Sequence, residues 1–166
     1  MIRKFAKFMF LILLVLVITA PRSYADPVIS IKNSTASYQD IDAHVLNKFL
    51  LSVKYQWGWV YQGPYNIYIT EHLPTSFSYL HPTIAFHQPG GVIYVGVSEV
   101  KASGYDIYYV LTHELAETAI NPNLDFYDKG KLVEIADPLI NQYVDQDGIW
   151  VADFLRPRDY GWNFFF

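Results

Sequence analysis

The sequence predicts an α+β chain folded as one domain, and three observations carry that expectation. Two stretches repeat apolar residues at helical spacing, runs rich in aromatic and β-branched residues lie between them, and an irregular acidic tail follows the second helix. Of the 166 residues, the first 25 read as a secretory signal. Arg3, Lys4 and Lys7 precede an apolar run from Phe8 to Ala20, and Ser23-Tyr24-Ala25 is a small-x-small cleavage site. Those 13 apolar residues fall short of the ~20 that span a bilayer, so export with cleavage is expected, and no stable membrane anchor afterwards. The expected organisation is therefore residues 1–25 as signal and 26–166 as a secreted domain, periplasmic or extracellular.

Composition narrows the function classes. Cysteine is absent, which excludes a disulfide scaffold and any thiolate-ligated metal, so a metal must sit on imidazole and carboxylate groups. The four basic residues of the leader leave with it, and the remainder carries 8 basic against 16 acidic residues, a net charge of −8. A domain that acidic does not suit nucleic acid as a partner. An apolar fraction of 52% with 14 Tyr, 11 Phe and 4 Trp is enough to build a core.

Taken in order, Ser37-x-x-Asp40 reads as a capping box, and Ile41, Val45, Phe49 and Val53 at spacing four predict a first helix from about Tyr38 to Lys54. A turn at Gly63-Pro64 leads into a strand, Tyr65 to Thr70, and a Pro-punctuated loop runs from Leu73 to Pro82. Thr83 to His87 and Val92 to Val97 flank Gln88-Pro89-Gly90-Gly91 and predict a hairpin or a bent strand. Ser103-x-x-Asp106 opens a second helix that ends at Asn121-Pro122. Beyond it the chain is loop-like, with a short helix over Leu132 to Asn141 broken by Pro138. A last strand, Gly148 to Phe154, follows the turn Asp145-Gln146-Asp147-Gly148. That turn hints at a calcium loop but lacks the spacing of an EF-hand, and a plain turn is the better reading.

The chemistry concentrates in Leu111-Thr112-His113-Glu114-Leu115-Ala116-Glu117. Helical residues four apart point the same way, so His113 and Glu117 can share one cation. Glu114, about 100° round, can reach a water on that ion. This is H-E-x-x-H metallopeptidase geometry with Glu at the second histidine position. The helix is otherwise apolar, with Tyr108, Tyr109, Val110, Leu111, Leu115, Ala116, Ala119 and Ile120, so charge left unpaired on it is costly. Asp125, Asp128, Glu134 and Asp137 follow and can complete a site, and the β-run before the helix can align an extended peptide.

Thr112 to Pro122 resembles the S-H-E-L-x-E-x-x-x-D-P signature of an uncharacterised family of zincin-like metallopeptidase type. Phe86-His87 with the following glycine and Val-Ile-Tyr-Val run is similar to that family's G-Y-H-D segment. Glu134-Ile135-Ala136-Asp137-Pro138 is similar to its E-x-x-D-P/A element, and Val151 to Pro157 to its V-x-x-F-x-x-P close. The likeness spans roughly Thr83 to Trp162. Two positions depart from it: Asn121 stands for the Asp before Pro, and Gln88 for the Asp after His. The resemblance implies a small zincin-like single domain with a mixed sheet and an active-site helix.

The function expected is secreted, metal-dependent hydrolysis of peptide bonds in a peptide or protein substrate, with Zn2+ as cofactor and Glu114 as general base. The metal ligands expected are His113, Glu117 and Glu134, with Asp137 and then His87 as alternatives for the third. His87 can instead hold substrate or cap a turn, and His44, His72 and His81 read as solvated or structural. The rival reading is a secreted binding protein on the zincin scaffold, without turnover.

Overall fold

A computed structural model describes residues 27–74 and 83–161. The leader, most of the Leu73–Pro82 loop with His81, and the end of the family likeness at Trp162 lie outside the described residues. What it describes is a mixed α+β domain with three helices and a mixed sheet. No helix among the described residues is long and apolar enough to cross a membrane.

The first strand of the described residues is β1 (Ile29–Asn33), which the sequence reading did not anticipate. It pairs in parallel with β2 (Tyr65–Thr70), and helix α1 (Ala43–Trp57) makes the crossover between them. The predicted start of α1 at Tyr38 is corrected by its caps. Asn33 Nδ2 donates to the carbonyls of Ser37 and Tyr38, and Tyr38 sits at a φ of 54°, so this stretch is a turn. Asp42 is the true N-cap, accepting from the His44 amide at 2.8 Å, and Gly58 ends the helix in the left-handed region. The inward residues Leu46, Phe49, Leu50, Val53 and Trp57 are fully or almost fully buried.

Strands β3 (Ala85–Gln88) and β4 (Val92–Gly96) form the expected hairpin, and β4 adds to β2 in parallel. The sheet order is β1-β2-β4-β3, which leaves β3 as the terminal strand beside β4. Register sets the inner face: Ile67, Ile93 and His87 align across three strands, as do Ile69, Val95 and Ala85, and all six are buried. His87 therefore enters the interior by strand alternation.

Helix α2 (Val97–Ser103), which the sequence reading left unassigned, follows β4, and Gly104 at a φ of 76° stops it. Helix α3 (Ile107–Ile120) then starts at Asp106, which accepts from the Tyr108 amide at 2.7 Å. Ser103, expected to open this helix, instead turns its hydroxyl back to the Val100 carbonyl at 2.7 Å. Helix α3 packs on α1 and on the inner face of the sheet.

The tail is more ordered than the sequence suggests. Two-residue arms β5 (Tyr127–Asp128) and β6 (Lys131–Leu132) close a tight hairpin over Lys129 and Gly130. The short helix expected over Leu132 to Asn141 is corrected to a single 3-10 turn, Asp137–Leu139, because Pro138 suits the first turn of a helix but cannot sit in a longer one. Strands β7 (Tyr143–Gln146) and β8 (Ile149–Ala152) form the last hairpin around Asp147-Gly148. Asp145 accepts from the Gly148 amide and Asp147 pairs with Lys48, as a plain turn requires.

Candidate metal centre

Helix α3 divides its circumference between two chemistries. Leu111, Leu115, Ala116 and Ala119 are fully buried in the core, whereas His113, Glu114 and Glu117 occupy the remaining sector. Thr112 and Asn121 help to hold this helix against the tail. The buried Thr112 hydroxyl donates to the Tyr108 carbonyl at 2.6 Å and accepts the Ala152 amide at 2.9 Å, which docks β8. Asn121, fully buried, donates to the carbonyls of Phe126 and Val133 and accepts the amides of Asp125 and Phe126. All the hydrogen-bonding directions of its amide group are thus used to fold the chain back toward Glu134 and Asp137. The positioning role of Asn121 was not read from the sequence. The Asn-Pro pair at the helix end marked the place but not the partners.

The fold brings most of the candidate ligands together. His113 Nε2 lies 3.1 Å from Asp137 Oδ1 and 3.3 Å from Glu117 Oε1. His87 Nδ1 lies 3.5 Å from Glu114 Oε2 and 3.6 Å from Glu117 Oε2. Each trio, His113/Glu117/Asp137 and His87/Glu114/Glu117, offers donor atoms within 4.8 Å of one another. Glu134, the preferred third ligand from sequence, belongs to neither trio. Its half-buried carboxyl lies near that of Asp137. Asp125 is tied by its amide to Asn121, and Asp128 faces Lys129 at 4.0 Å. The 3-10 turn explains the choice of Asp137: its amide donates to Glu117 Oε1 at 3.2 Å, which fixes this residue against α3.

Electrostatics within the cluster is severe. Burial disfavours a charged His113, yet its bonds to Asp137 and Glu117 outweigh burial and raise its pKa well above the usual value. His87 behaves alike: burial works against the cation, and the nearby carboxylate of Glu114 with the charges of Glu117 and Glu134 prevails. The Glu117 carboxyl is pushed up by burial and by the neighbouring Glu114 charge. Burial also raises Glu134, whereas the hydrogen bond from His113 holds Asp137 below the usual carboxylate range. The two imidazoles, His87 and His113, thus hold protons that a divalent cation would displace.

A cleft of about 230 Å³ opens beside the cluster, walled by Thr83, Ile84 and Ala85 on one side and by Tyr105, Tyr109 and Val110 on the other. His113, Glu114 and Asp137 line it, and Ile140 stands at its edge. The donor set fits a borderline-soft divalent ion: it contains only imidazole and carboxylate. The separations of 3.1 and 3.3 Å around His113 also approach the roughly 3.3–3.6 Å between neighbouring tetrahedral donors on bonds of about 2.0–2.2 Å. A mixed α+β domain with a His–carboxylate cluster beside a cleft is the class these features define. Comparison with family models, curated proteins and solved structures finds no match to this chain.

Proposed function

We propose that the chain is a secreted, zincin-like, zinc-dependent hydrolase of peptide bonds. The observation that carries this reading is the convergence of His113, Glu117 and Asp137 beside a cleft whose far wall begins the terminal strand β3. On this reading His113, Glu117 and Asp137 hold the ion, and Asp137 takes the role that sequence spacing assigned first to Glu134. A zinc ion there supplies Lewis-acid polarisation of a carbonyl and a lowered pKa for water.

The protein's own groups do the rest. Strand β3 offers backbone donors and acceptors along which an extended peptide aligns. Tyr109, Val110 and Ile140 provide apolar surface that excludes water from the reacting carbonyl. Glu114, which lines the cleft, takes a proton from the attacking water and returns it to the leaving amine.

The test is cleavage of a broad peptide library by zinc-loaded protein, with bound metal measured on every sample. Glu114→Gln is expected to retain zinc at the cleft while cleavage falls at least ~100-fold, because a proton acceptor is lost at nearly constant shape. Full cleavage by that variant refutes the mechanism. Zinc-loaded wild type that cleaves nothing favours the binding-protein alternative.

A further inference from the structure

We propose that Glu117 bridges two divalent-cation positions, the second being a buried site formed by His87, Glu114 and Glu117. This goes beyond the cleft-side site of the proposed function and rests on it for the first cation, but not on hydrolysis.

The two oxygens of Glu117 face different histidines. Oε1 lies 3.3 Å from His113 and Oε2 lies 3.6 Å from His87, so one carboxylate serves both trios without moving. The separations around His87, 3.5 and 3.6 Å, exceed the ~2.7–3.2 Å of a good N–H···O hydrogen bond. They match the roughly 3.3–3.6 Å edge of a tetrahedral donor set on a zinc-sized ion. Side-chain exposure at His87, Glu114 and Glu117 is only 4%, 9% and 5%, so these groups meet one another without water to dilute their charge.

The polar capacity of His87 is also unused. Its Nε2 is buried and has no hydrogen-bond partner among the described residues, although buried imidazole nitrogens are ordinarily paired. Nδ1 is the ring nitrogen that faces Glu114 and Glu117, and a cation between them requires only that one.

Charge supplies the count. Glu114, Glu117, Glu134 and Asp137 bring four negative charges once ionised, and neutral histidines add none. One divalent cation leaves an excess of two negative charges in a cluster whose Glu114 and Glu117 are buried, and two cations cancel it.

The experiment is zinc binding by the metal-free protein at equilibrium, read by elemental analysis, on wild type, His87→Ala and Asp137→Ala, with thermal unfolding as the fold control. Wild type is expected to hold about two zinc ions per chain, and each variant about one. One ion on wild type, or two on His87→Ala, overturns the proposal. A cobalt titration of wild type decides the matter even where His87→Ala fails to fold. Its visible absorption is expected to saturate at two equivalents, and saturation at one overturns the second site. Two zinc ions without peptide cleavage would sink the hydrolase and keep this site. Cleavage with a single zinc would do the reverse.

Discussion

Along α3, Leu111, Leu115, Ala116 and Ala119 on one sector are wholly hidden from water, and Glu114 and Glu117 on the other are nearly as hidden, at 7% and 4% exposure. Equal burial has opposite energetic signs here. Removing methylenes from water drives the apolar sector inward, whereas the acidic sector loses hydration and recovers part of it through two histidines. The apolar sector accounts for why the helix is seated where it is. The acidic sector costs stability and concentrates reactivity, as functional sites commonly do.

The largest expected effect tests the apolar sector. Leu115→Ala leaves a cavity among α1, α3 and the sheet and is expected to destabilise by about 2–5 kcal/mol, read as ΔG in urea unfolding. A loss under about 1 kcal/mol would mean that the helix is held mainly by its polar contacts.

Next in size is the anchor between helix and tail. Asn121→Ala removes four hydrogen bonds from a fully buried position and is expected to destabilise by about 2–3 kcal/mol. It should also weaken zinc binding, since Asp137 reaches α3 through the segment that Asn121 folds. Asn121→Asp tests the geometry more finely. It keeps the two accepted amides but turns a buried carboxylate oxygen toward the Phe126 and Val133 carbonyls, so a loss at least as large as that of Asn121→Ala is expected.

The smallest effect has the opposite sign and depends on pH. Glu117, raised from its usual 4.5, favours the folded state in acid and loses that contribution as pH rises from 4.5 through its higher folded value. His113, raised from 6.5, likewise stabilises fully below 6.5 and less as pH climbs toward its folded value. Asp137 is lowered from 3.8, so its contribution is present above 3.8 and fades only in stronger acid. The metal-free protein should therefore unfold at a lower temperature at about pH 8 than at about pH 5. Glu117→Gln should raise metal-free stability by about 1 kcal/mol at the higher pH and change little at the lower one. Equal shifts at both pH values in calorimetry would show that charge burial is not the cost.

Much of this was legible in local sequence. The strand Tyr65 to Thr70 falls where its aromatic and β-branched content predicts it, the β3–β4 hairpin surrounds the Pro-Gly-Gly turn, and α3 ends at Asn121-Pro122. Each of these signals lies within a few residues of the element it predicts. The missed elements lack such signals. Strand β1 is five residues that become a strand by pairing with β2, some 36 residues later in register, and α2 is a helix of only seven residues between Gly96 and Gly104.

The candidate cluster divides in the same way. The sequence by itself determined that His113, Glu114 and Glu117 share one sector of a helix, because helical geometry converts spacing directly into direction. It also determined that only imidazole and carboxylate are available as metal donors, since the chain has no cysteine. Which distant groups meet that sector was decided by tertiary structure alone. Strand register turned His87 inward beside Ile93, and the 3-10 turn at Pro138 seated the Asp137 amide on Glu117, leaving Glu134 one step aside. Those choices depend on how β3 and the tail pack against α3, and packing between segments far apart in the chain leaves no periodic trace in either one.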